Sequence, residues 1–286
     1  MNCFVTGGSG FLGSHVADEL TKNGHNVIIF DKKKSKWLKK NQKMVLGNIN
    51  NLKKIIPYIK KSDYVFHFAG LADLNESLNK PVETAVNNIL ATINLLKICQ
   101  ENKIKRFIYA SSIYVLSEQG GFYRVSKKAA EEYIEEFSKR LNLNFTILRY
   151  GSIYGERSNK ENGVRRIIAN ALTSKNVVYE GSSNSERRYI NVKDAAKITA
   201  QILKEKYKNK YLNVFGIKKI KVKNFLKRVK EILNVKSKIK FKNKKIVGHY
   251  ISDPSTFRIK KGINITSTSY KDFDKDIKQI IKEIKN

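Results

Sequence analysis

Nearly unbroken apolar runs alternate with helical patterns over the first half of the chain, and this alternation limits the fold more than any other feature. "NCFVTG" (2–7), "NVIIFD" (26–31), "KMVLGN" (43–48), "DYVFHFAG" (63–70), "RFIYASS" (106–112) and "NFTILRYGSIYG" (144–155) read as strands. Helical spacing fills the gaps, in "FLGSHVADELTKNG" (11–24), "NLKKIIPYIKK" (51–61), residues 82–102 and "GGFYRVSKKAAEEYIEEF" (120–137). A strand that is apolar on both sides must be covered on both faces, and strands joined through helices run parallel. The class is therefore α/β, with a doubly wound parallel sheet in residues 1–155. Beyond 155 the alternation loosens into loops, basic helices (193–206, 222–233) and short strands such as "YLNVFG" (211–216). Residues 156–286 are expected to form mainly a second, smaller α/β region, with some segments returning to the first.

The first strand-to-helix turn reads "TGGSGFLGSH" (6–15). Gly8, Gly10 and Gly13 fit one glycine register, and Gly7, Gly10 and Gly13 fit another. Glycines at such a turn let the backbone approach a diphosphate, and the N-terminus of the following helix faces its negative charge. Asp31 ends the next strand, where an acidic side chain can bind the ribose hydroxyls of an adenosine. The context points to a Rossmann-type dinucleotide site. A carboxylate at Asp31 repels a 2′-phosphate and so favours NAD, while Lys32 and Lys33 leave NADP open.

Of 57 basic residues, 11 are arginines and the other 46 lysines, against 25 acidic residues, giving a formal charge of +32. A charge of this size raises the question of nucleic acid. The lysines, however, are spread along the whole chain rather than gathered in one stripe, so nucleic-acid binding is not expected; attraction of a phosphorylated substrate fits better. Two cysteines, Cys3 and Cys99, imply no disulfide framework. The opening "MNCFVTGGSG" does not read as a secretory signal, and no apolar stretch is long enough to cross a bilayer. A cytoplasmic protein is expected. No His/Cys/Asp/Glu group has metal-ligand spacing, so no metal is expected either.

Within 120–137, spacings of three and four join Tyr123, Lys127, Ala130, Ile134, Phe137 and Leu141 into one stripe. Lys128, Glu131, Glu132, Glu135, Ser138 and Lys139 fall on the polar side. Lys127 thus stands where the pattern asks for an apolar residue: it snorkels out of the helix start, or it has a partner and a task. The pattern alone leaves both open.

These pieces together resemble an extended short-chain dehydrogenase/reductase of the nucleotide-sugar epimerase/dehydratase group, UDP-galactose 4-epimerases in particular. The resemblance rests on "TGGSGFLG", "FHFAGLADLNESLNKP", "VNNILATINLL", "FIYASSIYV", "YRVSK", "LRYGSIYG" and "RRYINVKDAAK", in the family's order over nearly the whole chain. It implies an NAD-dependent isomerase with Tyr123, Lys127 and Ser112 as catalytic residues. The phenolate of Tyr123 would take a proton from a sugar hydroxyl, helped by the ammonium of Lys127. For the cofactor it implies Gly7, Gly10, Phe11, Leu12 and Gly13 at the diphosphate, Asp31 at the ribose, and Asn48 and Ile49 over the adenine. Phe68, Ala69 and Gly70 would line the cofactor, and Tyr150, with Tyr123 and Lys127, would stand near the nicotinamide. The substrate would meet Ser112, Tyr123, Ser152 and Arg187, the last at its phosphates or else an ordinary surface arginine. A smaller C-terminal substrate-binding region and a homodimer are also implied. The dimer would pair the helices of 82–102 and 123–141, with Val86, Ile89, Ile93 and Leu96 as the apolar surface.

Departures from the family narrow the reaction. Dehydratases of the group carry Asp-Glu just after the active-site hydroxyl residue, whereas Ile113 and Tyr114 stand here. The glutamate of the related decarboxylases is missing too. Epimerisation or simple oxidation/reduction remains, so a reductase of a 4-keto nucleotide sugar is the enzymatic alternative. A nucleotide-binding regulatory or scaffold protein is the non-enzymatic one. Only ten residues separate Ser112 from Tyr123, and Ser152 replaces the family's asparagine. The sugar pocket must differ accordingly.

Overall fold

A computed structural model describes residues 1–242, 263–266 and 272–285. Its first half alternates β1 (Asn2–Thr6), α1 (Phe11–Lys22), β2 (Asn26–Asp31), β3 (Gln42–Leu46), α2 (Leu52–Ile59) and β4 (Tyr64–His67). Two short helices follow, α3 (Leu74–Asn79) and α4 (Pro81–Ala85), and a π-helical turn (Val86–Leu90) leads into α5 (Ala91–Glu101). Then come β5 (Arg106–Ser112), a 3₁₀ turn (Ile113–Leu116), α6 (Gly121–Leu141) and β6 (Phe145–Tyr150). The second half holds β7 (Ser152–Tyr154), α7 (Gly163–Ser174), β8 (Val178–Glu180), β9 (Glu186–Asn191), α8 (Val192–Gln201), β10 (Lys210–Val214), β11 (Lys219–Lys221), α9 (Val222–Ile232), β12 (Lys240–Lys242), β13 (Ile263–Ile265) and α10 (Phe273–Lys285).

Eight strands form one sheet in the order β13-β10-β6-β5-β4-β1-β2-β3, and every pair in it is parallel. One face is covered by α1 and α8, whose Val16, Leu20, Ala195 and Ile198 pack on Val5, Ile29 and Leu148. The other is covered by α2, α5 and α6 through Ile55, Leu95, Leu96 and Ile134, over Phe4, Val65 and Ile147. This is the doubly wound arrangement that solid apolar strands require. A third cluster joins α7, α9 and α10 around Phe225, Ile168 and Ile280, away from the large sheet. The segment expected as one strand, 144–155, is two. Gly151 breaks it, lying where an added Cβ would stand 2.9 Å from the Phe215 side chain and 3.1 Å from the Arg188 carbonyl oxygen. β6 stays in the large sheet and β7 joins a three-stranded sheet with β9 and β11.

Strand order reverses between β1 and β4, and ligands of such sheets sit at the carboxyl ends beside this reversal. Here the two carboxyl-end loops touch: a Cβ on Gly7 would lie 2.6 Å from the Ala69 backbone nitrogen. The topology therefore brings the glycine turn, the loop after β4 and the end of β5 to one edge.

Candidate active site

At the glycine turn the structure selects the register Gly7, Gly10, Gly13. Gly7 has φ +70°, and a Cβ on Gly13 would stand 2.3 Å from the Gly7 carbonyl oxygen. Gly10 is the residue before α1; it offers no side-chain cap, and the first turn of α1 holds no acidic residue. The N–H groups of Phe11, Leu12 and Gly13 belong to a first turn that has no intrahelical acceptors for them. A helix start left uncapped against a glycine turn suits a diphosphate. Asp31, half-buried at the end of β2, accepts from the backbone N–H of Ser9 and of Lys33, both at 3.0 Å. Its carboxylate is thereby fixed beside the turn. The residues present thus fit a dinucleotide.

The other cofactor candidates vary in placement. Phe68 and Ala69 are half-buried and Gly70 exposed, in the loop that meets Gly7. Asn48 is exposed and its side-chain oxygen accepts from the N–H of Asn50 at 2.9 Å, while Ile49 is buried. Tyr150 ends β6, and its buried hydroxyl shares a 2.6 Å hydrogen bond with Thr199 of α8. The phenol of Tyr150 thus faces a protein partner.

Tyr123, Lys127 and Ser112 come together. Ser112 ends β5, and its side chain is hydrogen-bonded to the Tyr123 hydroxyl. Burial pushes the phenol above its ordinary value, and the bond to Ser112 offsets part of that. Lys127 is only 5% exposed. Its Nζ donates to the Ala110 carbonyl at 2.8 Å and stands 4.7 Å from the centre of the Tyr109 ring. Burial lowers its pKa to about 8, against the opposing pull of Glu131. Lys127 does not snorkel. Lys127 is buried one helical turn on from Tyr123, the spacing at which a cation can act on a phenolate.

Behind the pair, His67 is held between Thr6 (2.7 Å) and Thr92 (3.0 Å). Burial, with the Lys127 charge second, lowers its pKa to about 3, so it is a neutral interior histidine. Arg187 is buried on β9 and donates to the Glu186 carbonyl at 2.8 Å, which excludes the surface-arginine reading. Ser152 is half-buried on β7, paired in register with Tyr189 of β9. Tyr114 packs edge-on to Tyr123 with ring centres 6.3 Å apart, and the short connection fits over it because Gly120 carries no Cβ.

Two features escape the helical pattern. Glu131 falls on the polar side of α6 by spacing, yet it is 2% exposed and paired with the equally buried Arg149. Its signal in the sequence is the single row Tyr123, Lys127, Glu131, each one turn from the next. Asn88, in the π-helical turn, accepts from the Leu71 N–H (2.7 Å) and donates to the Leu71 carbonyl (2.9 Å) and to Ser126 (2.9 Å). Ser126 in turn donates to the Tyr123 carbonyl at 2.9 Å. The loop after β4 is thus tied to the helix of Tyr123; among the polar residues of this stretch (Asn87, Asn88, Thr92, Asn94) nothing in the spacing singles out Asn88 for such a link.

Comparison with known proteins gives first the class and then the family. A solved UDP-glucose 4-epimerase from Thermotoga maritima, crystallised with UDP-glucose, superposes with a TM-score of 0.85 at 25% identity, over 100% of this chain and 99% of that one. A UDP-glucose 4-epimerase from Yersinia enterocolitica is 30% identical over 241 residues, covering 68% of this chain and 71% of the relative. A UDP-N-acetyl-alpha-D-glucosaminuronate decarboxylase from Bacillus cytotoxicus is 27% identical over 263 residues, 83% of this chain and 82% of the relative. The fold is that of the extended short-chain dehydrogenase/reductases. The model of the NAD dependent epimerase/dehydratase family matches residues 3–214, and the chain belongs to that family.

Proposed function

We propose that the protein is an NAD-dependent epimerase of a nucleotide-activated sugar, inverting the hexose at C4 through a transient keto-sugar. Family membership and similarity to UDP-glucose 4-epimerases support this reading. The observation that carries it is the constellation at the end of β5. Ser112 is bonded to Tyr123 with Lys127 one turn on, while Ile113 and Tyr114 stand where elimination would require a carboxylic acid and its base.

Tyr123 takes the proton of the sugar hydroxyl and later returns it. Ser112 orients that hydroxyl, and Lys127 stabilises the phenolate that forms between the two transfers. When bound, the dinucleotide supplies the acceptor, and then the donor, of the hydride on the same carbon. Gly7, Gly10, Phe11, Leu12 and Gly13 hold its diphosphate, Asp31 the adenosine ribose, and Asn48 and Ile49 the adenine. Phe68, Ala69 and Gly70 line the cofactor, and Tyr150 borders the nicotinamide end. Arg187, a buried cation in the second half, holds the substrate diphosphate, and Ser152 meets the sugar.

The assembly we propose is a cytoplasmic homodimer. The expected apolar surface needs one correction, because Leu96 is fully buried in the chain's own core. Val86 is exposed as expected, Ile89 and Ile93 are half-buried, and Val82 and Leu90 extend the exposed surface beside Phe122, Val125 and Tyr133 of α6.

Tyr123→Phe tests the mechanism against UDP-, GDP-, CDP- and dTDP-hexoses. The wild type is expected to interconvert one C4 epimer pair, and loss of the phenol to slow it at least ~10²–10⁴-fold, the usual worth of a general acid–base group. Full activity in the variant sinks the assignment. Stoichiometric use of NADPH with a keto-sugar replaces the epimerase by a reductase.

A further inference from the structure

Glu131 stands one turn beyond Lys127 on the buried side of α6. Its carboxylate is gripped from β6 by Arg149, whose Nε lies 3.0 Å from Oε1 and whose Nη2 lies 2.6 Å from Oε2. Ser111 donates to Oε1 at 2.6 Å. Ser111 is the neighbour of Ser112 on β5, and Ala110, one residue before it, accepts from Lys127. Alternation along a strand sends Ser111 and Ser112 to opposite faces. One strand end therefore bonds Tyr123 through Ser112 and Glu131 through Ser111, and receives Lys127 at Ala110. Charges around the ammonium are few. Tyr109 of β5 and neutral His67 of β4 lie against it, Tyr123 is one turn back and Glu131 one turn on, with Arg149 of β6 behind the glutamate.

We propose that Glu131 is a positioning residue for the Tyr123–Lys127 pair: its carboxylate, locked by Arg149 and Ser111, holds Lys127 as the ammonium and fixes the end of β5 that carries Ser112. Among the described groups near Lys127, Glu131 is the one fixed negative charge. With it the buried set is one cation in excess when Tyr123 is a phenol and neutral when Tyr123 is a phenolate. Glu131 therefore lets the pair hold its cation without a second, unpaired one. The inference rests on Tyr123 and Lys127 being the acid–base pair.

The test follows Lys127 directly, by NMR titration at its Cε carbon in the protein without substrate, assigned by its absence in Lys127→Met. Glu131→Gln is expected to move the deprotonation of Lys127 about one pH unit lower, a tenfold change in proton concentration, and to move the alkaline limb of kcat/KM with it. Because Glu131→Gln leaves Arg149 without its partner and can fail to fold, Glu131→Gln with Arg149→Met is made in parallel and is expected to show the same direction. Ser111→Ala keeps every charge, leaves Oε1 held by Arg149 Nε alone, and is expected to shift both readouts the same way by less. Glu131→Asp should restore part of the wild-type titration. Thermal melts follow all variants. If the Lys127 titration superposes on wild type in the variants that fold, while only the melts fall, Glu131 is a structural ion pair and the proposal is overturned. The NMR readout needs no sugar, so a wrong substrate assignment leaves it intact.

Discussion

Lys127 shows how one side chain sets two opposite pH trends. Its pKa falls from 10.5 to about 8 because its ammonium is buried. Below about 8 both folded and unfolded chains are protonated there, and the burial cost is present in full. Between about 8 and 10.5 the unfolded chain holds the extra proton, so stability rises with pH. The swing is roughly 3 kcal/mol at about 1.4 kcal/mol per unit. In the proposed mechanism activity moves the other way, since Tyr123 would lose its cation as Lys127 deprotonates. We expect kcat/KM to fall above about pH 8 while the wild-type melting temperature gains on that of Lys127→Met over the same range. Parallel curves for the two proteins would refute the shift. The role proposed for Asp31 lies at the far end of the cofactor. Held by the N–H groups of Ser9 and Lys33, the carboxylate is pre-oriented to accept from ribose hydroxyls and to repel a phosphate. Asp31→Ala is expected to narrow the NAD/NADP preference in binding titrations. A wild type that binds NADP more tightly would remove the role assigned to Asp31.

At the scale of elements, α6 is a helix with two apolar sides. Ala130 and Ile134 face the core with Lys127 and Glu131, while Phe122, Val125 and Tyr133 are each nearly half exposed. A single-face surface helix has no use for that second stripe. Val82, Val86 and Leu90, at four-residue spacing, extend it on the adjoining α4 and π-helical turn. In the proposed homodimer this exposed apolar patch is the interface, and two helices per chain would meet their copies in a four-helix contact. Val125→Asp, with Val82→Asp as a second variant, is expected to yield monomers by light scattering at unchanged melting temperature of the single chain. A wild type already monomeric at micromolar concentration would refute the pairing. The same helix shows where sequence stops being legible. Solid strands, the glycine turn and the Tyr–Lys spacing are local and can be read directly. Glu131 could not be assigned by periodicity, because a buried carboxylate is admissible only through partners on β5 and β6, which only the fold brings near. The break at Gly151 is likewise hidden, since its cause is Phe215, distant in sequence. The loss of alternation after 155 is real: β8, β11, β12 and β13 are three residues each, too short to show a period.

Over the whole molecule, the two halves are sewn together at the end of β7. Arg157 donates to Asp18 of α1 at 2.8 Å and lies over the ring of Trp37, the chain's one tryptophan, at 5.2 Å. Its own N–H donates to Glu283 of α10 at 3.0 Å. Beside it, Glu156 takes Lys193 of α8 at 2.6 Å and its carbonyl meets the ring of His15 at 3.1 Å. One dipeptide thus touches the loop after β2, α1, α8 and the C-terminal helix. Arg157 does this with φ +60°, a left-handed backbone that costs a non-glycine residue on the order of 1 kcal/mol. Two substitutions separate the terms. Arg157→Ala loses the ion pair and the ring contact and keeps the backbone cost; Arg157→Gly loses the same contacts and relieves it. Partly buried pairs of this sort contribute on the order of 1 kcal/mol each. We therefore expect Arg157→Ala to lower stability by roughly 1–2 kcal/mol in urea titrations, and Arg157→Gly to be about 1 kcal/mol less harmful, close to wild type. Both should shift Trp37 emission toward that of a solvated indole, because the guanidinium that covers the ring is gone. Equal losses in the two variants would show that the left-handed backbone carries no cost there, and unchanged Trp37 emission that the contact joining the halves does not exist in solution.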